Sequence, residues 1–229
     1  MRLVRLFVAG AFVFFAVESF GQIGNVSVQP AGNPITVSKY PDIEGTPFLH
    51  DGEWRVGSIV WVDKKVDNIP LRYNAYEQEV QYLKNNNPFV FEEGLKSFAY
   101  GITDQNNVFV EYLFVKGDGF PKPINKTKWV RMIYSGNNFQ LIQQHEVLKT
   151  KVAPPSYGAE DITKFVEDSK DFLLVDGKIV EDGRINQRMF TKAFKEKKKE
   201  IKDYVNSRDI DTDNYEELLK LARYIDGIL

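Results

Sequence analysis

Between Arg55 and Val180, strand-like runs follow one another closely, most of them at hairpin spacing. Parallel neighbours need a crossover of about a dozen residues or more, so this spacing favours antiparallel pairing. Residues 55–63 alternate Val56, Ser58, Val60 and Val62 against Gly57, Ile59 and Trp61, the period of two that a strand imposes. Ile59 and Trp61 make the second face apolar too, which predicts that both faces are covered. Shorter runs follow at 69–74, 79–83, 89–91 and 96–100, then longer ones at 107–116 and 128–134. Ser135-Gly136-Asn137-Asn138 is turn chemistry leading into a run at 139–150. Asp176-Gly177, between 172–175 and 178–180, suits the positive φ angles of a type I′ hairpin turn. The polar stretch 154–171 reads as a long loop.

The last 45 residues change period. Helices are expected over 186–194, 196–206 and 213–225. In the third, Tyr215, Leu218, Leu219, Ala222 and Ile225 fall on one face, with Asp213 at N-cap and Glu216 at N3 spacing. The fold class is therefore α+β: a mainly antiparallel β-meander, barrel-like or sandwich-like, followed by a short C-terminal helical segment. The expected divisions are 1–21, 22–54, 55–183 and 184–229.

Residues 1–21 have the form of a cleavable secretory signal. Arg2 and Arg5 precede twelve uncharged, almost wholly apolar residues at 6–17, and Ser19 and Gly21 place small side chains before a cut at Gln22. Twelve residues fall short of the roughly 20 needed to span a bilayer. The chain contains no cysteine, which removes disulfides, thiolate metal sites, a cysteine nucleophile and a lipidated cysteine anchor. Lys and Arg number 30 against 32 Asp and Glu, a net charge of -2, and this balance argues against nucleic acid as a partner. Export from the cytoplasm is expected, with no transmembrane segment after signal removal.

Residues 22–38 carry no charge, and two strand-like pieces flank the breaker Pro30-Ala31-Gly32-Asn33-Pro34. They form an expected extended arm, division 22–54, which either pairs with its own sheet or adds a strand to a partner. On the second reading Val26, Val28, Ile35 and Val37 are the partner-binding residues.

No constellation of catalytic, cofactor-binding or metal-ligating residues emerges. His50 lies in a turn and His145 on an expected strand, and neither sits in a triad or zinc pattern. Asp209, Asp211 and Asp213 alternate like the start of a calcium loop, but Asn214 and Lys220 occupy positions that need glycine and glutamate. Glu92, Glu93 and Asp104 are candidate paired carboxylates with no visible pairing. Trp54, Trp61 and Trp129 either fill a core or line a sugar-stacking face. The basic run 192–202 is interleaved with Glu196 and Glu200 and reads as a solvated helix face.

Gly45-Thr-Pro-Phe-Leu-His-Asp-Gly-Glu-Trp54, Leu71-Arg-Tyr-Asn-Ala-Tyr76 with Glu79 and Val80, residues 172–180, and Lys198-Lys-Glu-Ile-Lys-Asp-Tyr204 with Tyr224 together resemble a family of uncharacterised secreted proteins of Bacteroidota. The likeness covers about residues 40–229. It implies a Gram-negative envelope and carries no catalytic residue with it. The expected function is a non-catalytic periplasmic binding or accessory protein of the cell envelope, possible subunit of an outer-membrane secretion or transport complex, with another envelope protein as partner. The alternative is a secreted carbohydrate-binding or carbohydrate-cleaving protein.

Overall fold

The computed structural model describes residues 32–35, 40, 42–62, 64–103, 108–153 and 161–229. The expected signal at 1–21 and the arm residues Val26, Val28 and Val37 lie outside the described residues.

The described strands form one antiparallel sheet: β1 (Gly32–Pro34), β2 (Arg55–Trp61), β3 (Lys64–Asn74), β4 (Glu79–Lys84), β5 (Asn87–Phe91), β6 (Leu95–Thr103), β7 (Phe109–Lys116), β8 (Trp129–Ser135), β9 (Gln140–Val152), β10 (Ile162–Val175) and β11 (Lys178–Asp182). Their order is β1-β5-β4-β3-β2-β6-β7-β8-β9-β10-β11. Three helices close the chain: α1 (Gln187–Ala193), α2 (Lys198–Arg208) and α3 (Tyr215–Ile228). The α+β class, with a β-meander followed by helices, is the one expected.

Connectivity forces the sheet to roll. Strand β5 runs into β6 through Glu92, Glu93 and Gly94, yet β4, β3 and β2 separate them in the strand order. Four strand spacings on a flat sheet come to about 19 Å, whereas the link reaches at most about 14 Å. Strand β3 absorbs the bend by changing partner, pairing β2 through residues 64–71 and β4 through 71–74. The ladder with β2 shifts register between Gly57 and Ser58, opposite Asn68, which sits at φ 58° as the extra residue of a bulge. Residues 42–48 then tie the two arms of the roll together. Glu44 forms a parallel bridge with Lys164 of β10, and Phe48 bridges Asn74 of β3.

Rolling leaves an inner and an outer face. The inner face of β2–β8 packs Ile59, Tyr73, Phe98, Phe114 and Trp129 into an aromatic-rich core. Farther along, inner residues Ile133, Leu141 and Leu173 meet Phe190, Ile201, Leu221 and Ile225 of the helices. A smaller cluster of Val130, Ile142, Phe172 and Leu174 lies on the outer face of β8–β10 under Ile124. Coverage of both faces of β2 is not found. Ile59 is buried, but Val56 is 65% exposed and Val62 also reaches solvent, because nothing described packs over that outer surface.

Two further expectations are corrected. The stretch 154–171 is not all loop, since residues 162–171 belong to β10, paired residue for residue with β9. Its alternation is hidden in the sequence because outward Lys164, Asp168 and Lys170 share the strand with the polar inward residues Glu167, Ser169 and Asp171. Helix α3 is capped by Asn214, whose side chain accepts from Glu217 N at 3.2 Å, rather than by Asp213. Its buried face is Leu218, Leu221, Ala222 and Ile225, with Leu221 fully buried and Leu219 only partly so. Asn186 caps α1 in the same manner, accepting from Met189 N at 3.1 Å. The type I′ hairpin is found as expected, with Asp176 at φ 50° and Gly177 at φ 70°.

Candidate functional site

The seam where the rolled sheet is bridged by residues 42–48 contains a cleft of about 830 Å³, within the range of small-ligand sites. Ile35, Tyr40, Phe48, Arg72, Gln81 and Phe165 are among the side chains that line it. Its position follows from the arm. Gly32, Asn33 and Pro34 pair with Phe91, Val90 and Phe89, and Ile35 N donates to Pro88 O at 3.0 Å. Glycine is needed at 32 because a Cβ there would lie 2.5 Å from Val90 O and 2.7 Å from the Tyr82 hydroxyl. The described piece of the arm thus pairs with its own sheet and forms one edge of it.

The cation lining the cleft is Arg72, and Glu79 is an acid on the same lining. The Arg72 guanidinium lies between two rings, 4.2 Å from the Phe48 centroid and 4.3 Å from that of Trp54, and its Nε donates to Gln81 Oε1 at 2.8 Å. Burial pulls the Arg72 pKa down from its ordinary value. Tyr40 closes one wall with edge-on contacts to Tyr76 and Phe165, and its hydroxyl donates to Glu77. The result is an amphipathic trough beside a strand edge, with apolar walls and one held cation.

Of the four residues expected to bind a partner, Ile35 is described and lines this cleft. The three tryptophans do not form a row. Trp129 is core, and Trp54 and Trp61 flank and end β2, about 23 Å apart along the chain. Trp54 is engaged with Arg72, and Trp61 Nε1 donates to Glu93 O at 3.1 Å. Asp211 accepts from Asp213 N, and Asp213 pairs with Arg184 at 2.6 Å, so the calcium-like aspartates serve the turn before α3. Lys197 pairs with Glu200 on the basic run.

The histidines lead to a second feature that the sequence did not reveal. Between the aromatic core and the helix-covered core runs a belt of polar inner-face residues: Arg131 on β8, Gln143 and His145 on β9, and Glu167, Ser169 and Asp171 on β10. His145 Nδ1 lies 3.1 Å from Glu167 Oε1 and 2.9 Å from Ser169 Oγ. His50 reaches the belt from the 42–54 segment, with Nδ1 3.3 Å from the Tyr100 hydroxyl and its ring edge-on to Tyr112 at 4.6 Å. Burial, together with the charges of His145, Arg55 and Arg131, lowers the His50 pKa to about 4. The hydrogen bond from His145 holds Glu167 below the usual carboxylate range, while burial pushes Asp171 above it. Only the register across three strands shows that these polar residues face inward and adjoin.

Among the described residues no group of three or more acidic or histidine side chains is placed to hold a metal ion. No helix among them is long and apolar enough to cross a membrane. No protein-family model, curated protein or solved structure matches this chain.

Proposed function

We propose that this chain is a non-catalytic binding or accessory protein of the bacterial cell envelope, exported to the periplasm, that holds an extended segment of another envelope protein against the arm and the seam cleft. The observation that carries the reading is the cleft itself, an 830 Å³ trough bordered by the edge strand β1 and lined by Ile35, Phe48 and Arg72. A strand edge beside apolar pockets is the arrangement by which extended peptides are held, with main-chain hydrogen bonds for affinity and alternate side chains in the pockets for specificity. The export signal and the likeness to secreted Bacteroidota proteins supply the compartment. An outer-membrane secretion or transport complex is the setting in which such a subunit would work.

The test is affinity purification of the mature protein from its native envelope, followed by mass spectrometry, alongside a variant lacking residues 22–38. The expected result is an envelope protein retained by the full mature chain and lost with the arm, while circular dichroism shows the β domain still folded. The same set of proteins recovered with and without the arm would overturn the reading. A Gly32→Val variant, whose side chain cannot lie against Val90 O and Tyr82, is expected to weaken recovery without any deletion.

A further inference from the structure

We infer that the inner polar belt is a binding site for a carboxylate, taken by Arg131. Arg131 is only 6% exposed, and its Nη1 donates to Gln143 Oε1 at 3.2 Å. Its Nε and Nη2 are buried and find no hydrogen-bond acceptor. Those two nitrogens share the side-on edge of the guanidinium, the edge that takes both oxygens of a carboxylate in two parallel bonds. No acidic side chain among the described residues lies within ion-pair distance of Arg131.

A buried guanidinium with one hydrogen bond is costly to desolvate. The belt offsets part of that cost with rings, the Tyr112 centroid lying 3.5 Å from the guanidinium carbon and that of Tyr215 5.1 Å away. It does not offset the rest with its own acids, because both inner carboxylates are directed to other donors. Glu167 is engaged with His145, and Asp171 accepts from Gln143 Nε2 at 2.8 Å and Ile185 N at 3.1 Å. Arg55, the other cation facing the belt, pairs with Glu53 at 2.7 Å.

A third nitrogen points to the same ligand. His145 is equally buried, and its Nε2 also lacks a partner. It stands two residues from Gln143 on the same face, so it lies diagonal to Arg131, about 7 Å away. A ligand whose carboxylate meets Arg131 therefore places its next polar group on the His145 side of the belt. Glu167 and Ser169 form the solvent side of the belt and are exposed.

The experiment follows the Arg131 Nε–H resonance, assigned through bonds on the wild-type mature chain, during titration at constant ionic strength. The probes are acetate, trialanine with a free terminal carboxylate, trialanine amide and inorganic phosphate, with chloride as the reference. The expected result is a saturable shift with acetate or trialanine, none with the amide, and at least a tenfold weaker response of the remaining belt signals in Arg131→Lys. Trialanine binding tighter than acetate assigns the carboxylate to a chain terminus, and equal binding assigns it to a small acid. An Arg131 resonance that does not move up to about 0.1 M of either carboxylate, or that moves with phosphate alone, overturns the inference. Because the signal is read on the wild type, the outcome does not depend on the variant folding. Loss of the arm-dependent partner leaves this result unaffected, so the two readings fail separately.

Discussion

His50 makes folding sensitive to mild acid. Its pKa falls from the ordinary 6.5 to about 4 in the folded chain, first because burial penalises the imidazolium and then because His145, Arg55 and Arg131 add positive charge nearby. The unfolded chain takes up the proton near pH 6.5 and the folded chain does not until about pH 4. Stability is therefore whole above pH 6.5, falls as the pH drops through this window, and levels off below it. A shift of this size corresponds to about 3 kcal/mol, an upper figure because the ring retains some solvent contact. The perturbation is His50→Asn. Asparagine tolerates the left-handed backbone at this position, φ 53° and ψ 50°, and does not titrate. Urea unfolding followed by tryptophan fluorescence, with Trp129 as the core reporter, gives the free energy for each protein between about pH 7.5 and pH 4.5. Wild type is expected to lose about 2–3 kcal/mol more than His50→Asn over that range. The substitution also forgoes the ring contacts with Tyr100 and Tyr112, so the variant starts lower at neutral pH, and only the difference in slope is diagnostic. Parallel pH profiles for the two proteins would refute the reasoning.

Three further outcomes rest on other parts of the fold. Gly57→Ala places a Cβ 2.1 Å from Ala99 O, in the ladder between β2 and β6, and is expected to cost about 3 kcal/mol or more in the same unfolding assay. Phe190, wholly buried between α1 and the sheet, is expected to cost about 3–5 kcal/mol as Phe190→Ala, with earlier loss of helical than of sheet signal by circular dichroism. Asp226 accepts from Asn137 N at 3.0 Å and Asn138 N at 2.8 Å, binding the end of α3 to the β8–β9 turn. Asp226→Ala is expected to cost about 1–2 kcal/mol and to speed hydrogen exchange at Asn137 and Asn138 while leaving β4 and β5 protected.

Local chemistry made much of the architecture legible. Close strand spacing announced antiparallel pairing, Asp176-Gly177 announced its hairpin, and the change of period after residue 184 announced the helices. These signals work because turn dihedrals and side-chain periodicity are set by residues a few positions apart. The misses lie where a position depends on remote partners. Val56 and Ile59 look alike in an alternating run, yet one is exposed and the other buried, since nothing described packs over the outer face of β2. Residues 162–171 read as loop because Glu167, Ser169 and Asp171, which face the belt, have no apolar signature. The seam cleft was legible only in part. Ile35 stood out as strand-forming in an uncharged arm, whereas Phe48, Arg72 and Phe165 come from segments that meet only when the sheet rolls.

From the order of its residues alone, this chain is an α+β protein with an antiparallel meander, no cysteine chemistry and a nearly balanced charge. Those properties follow from composition and from spacing along the backbone. The tertiary structure decides the roll, the seam and the belt. A three-residue link across three intervening strands requires curvature that no local propensity encodes. Once rolled, the sheet sets Arg131, His145 and Glu167, each unremarkable in its own strand, on one inner surface where desolvation and shared charge give them properties that none has alone.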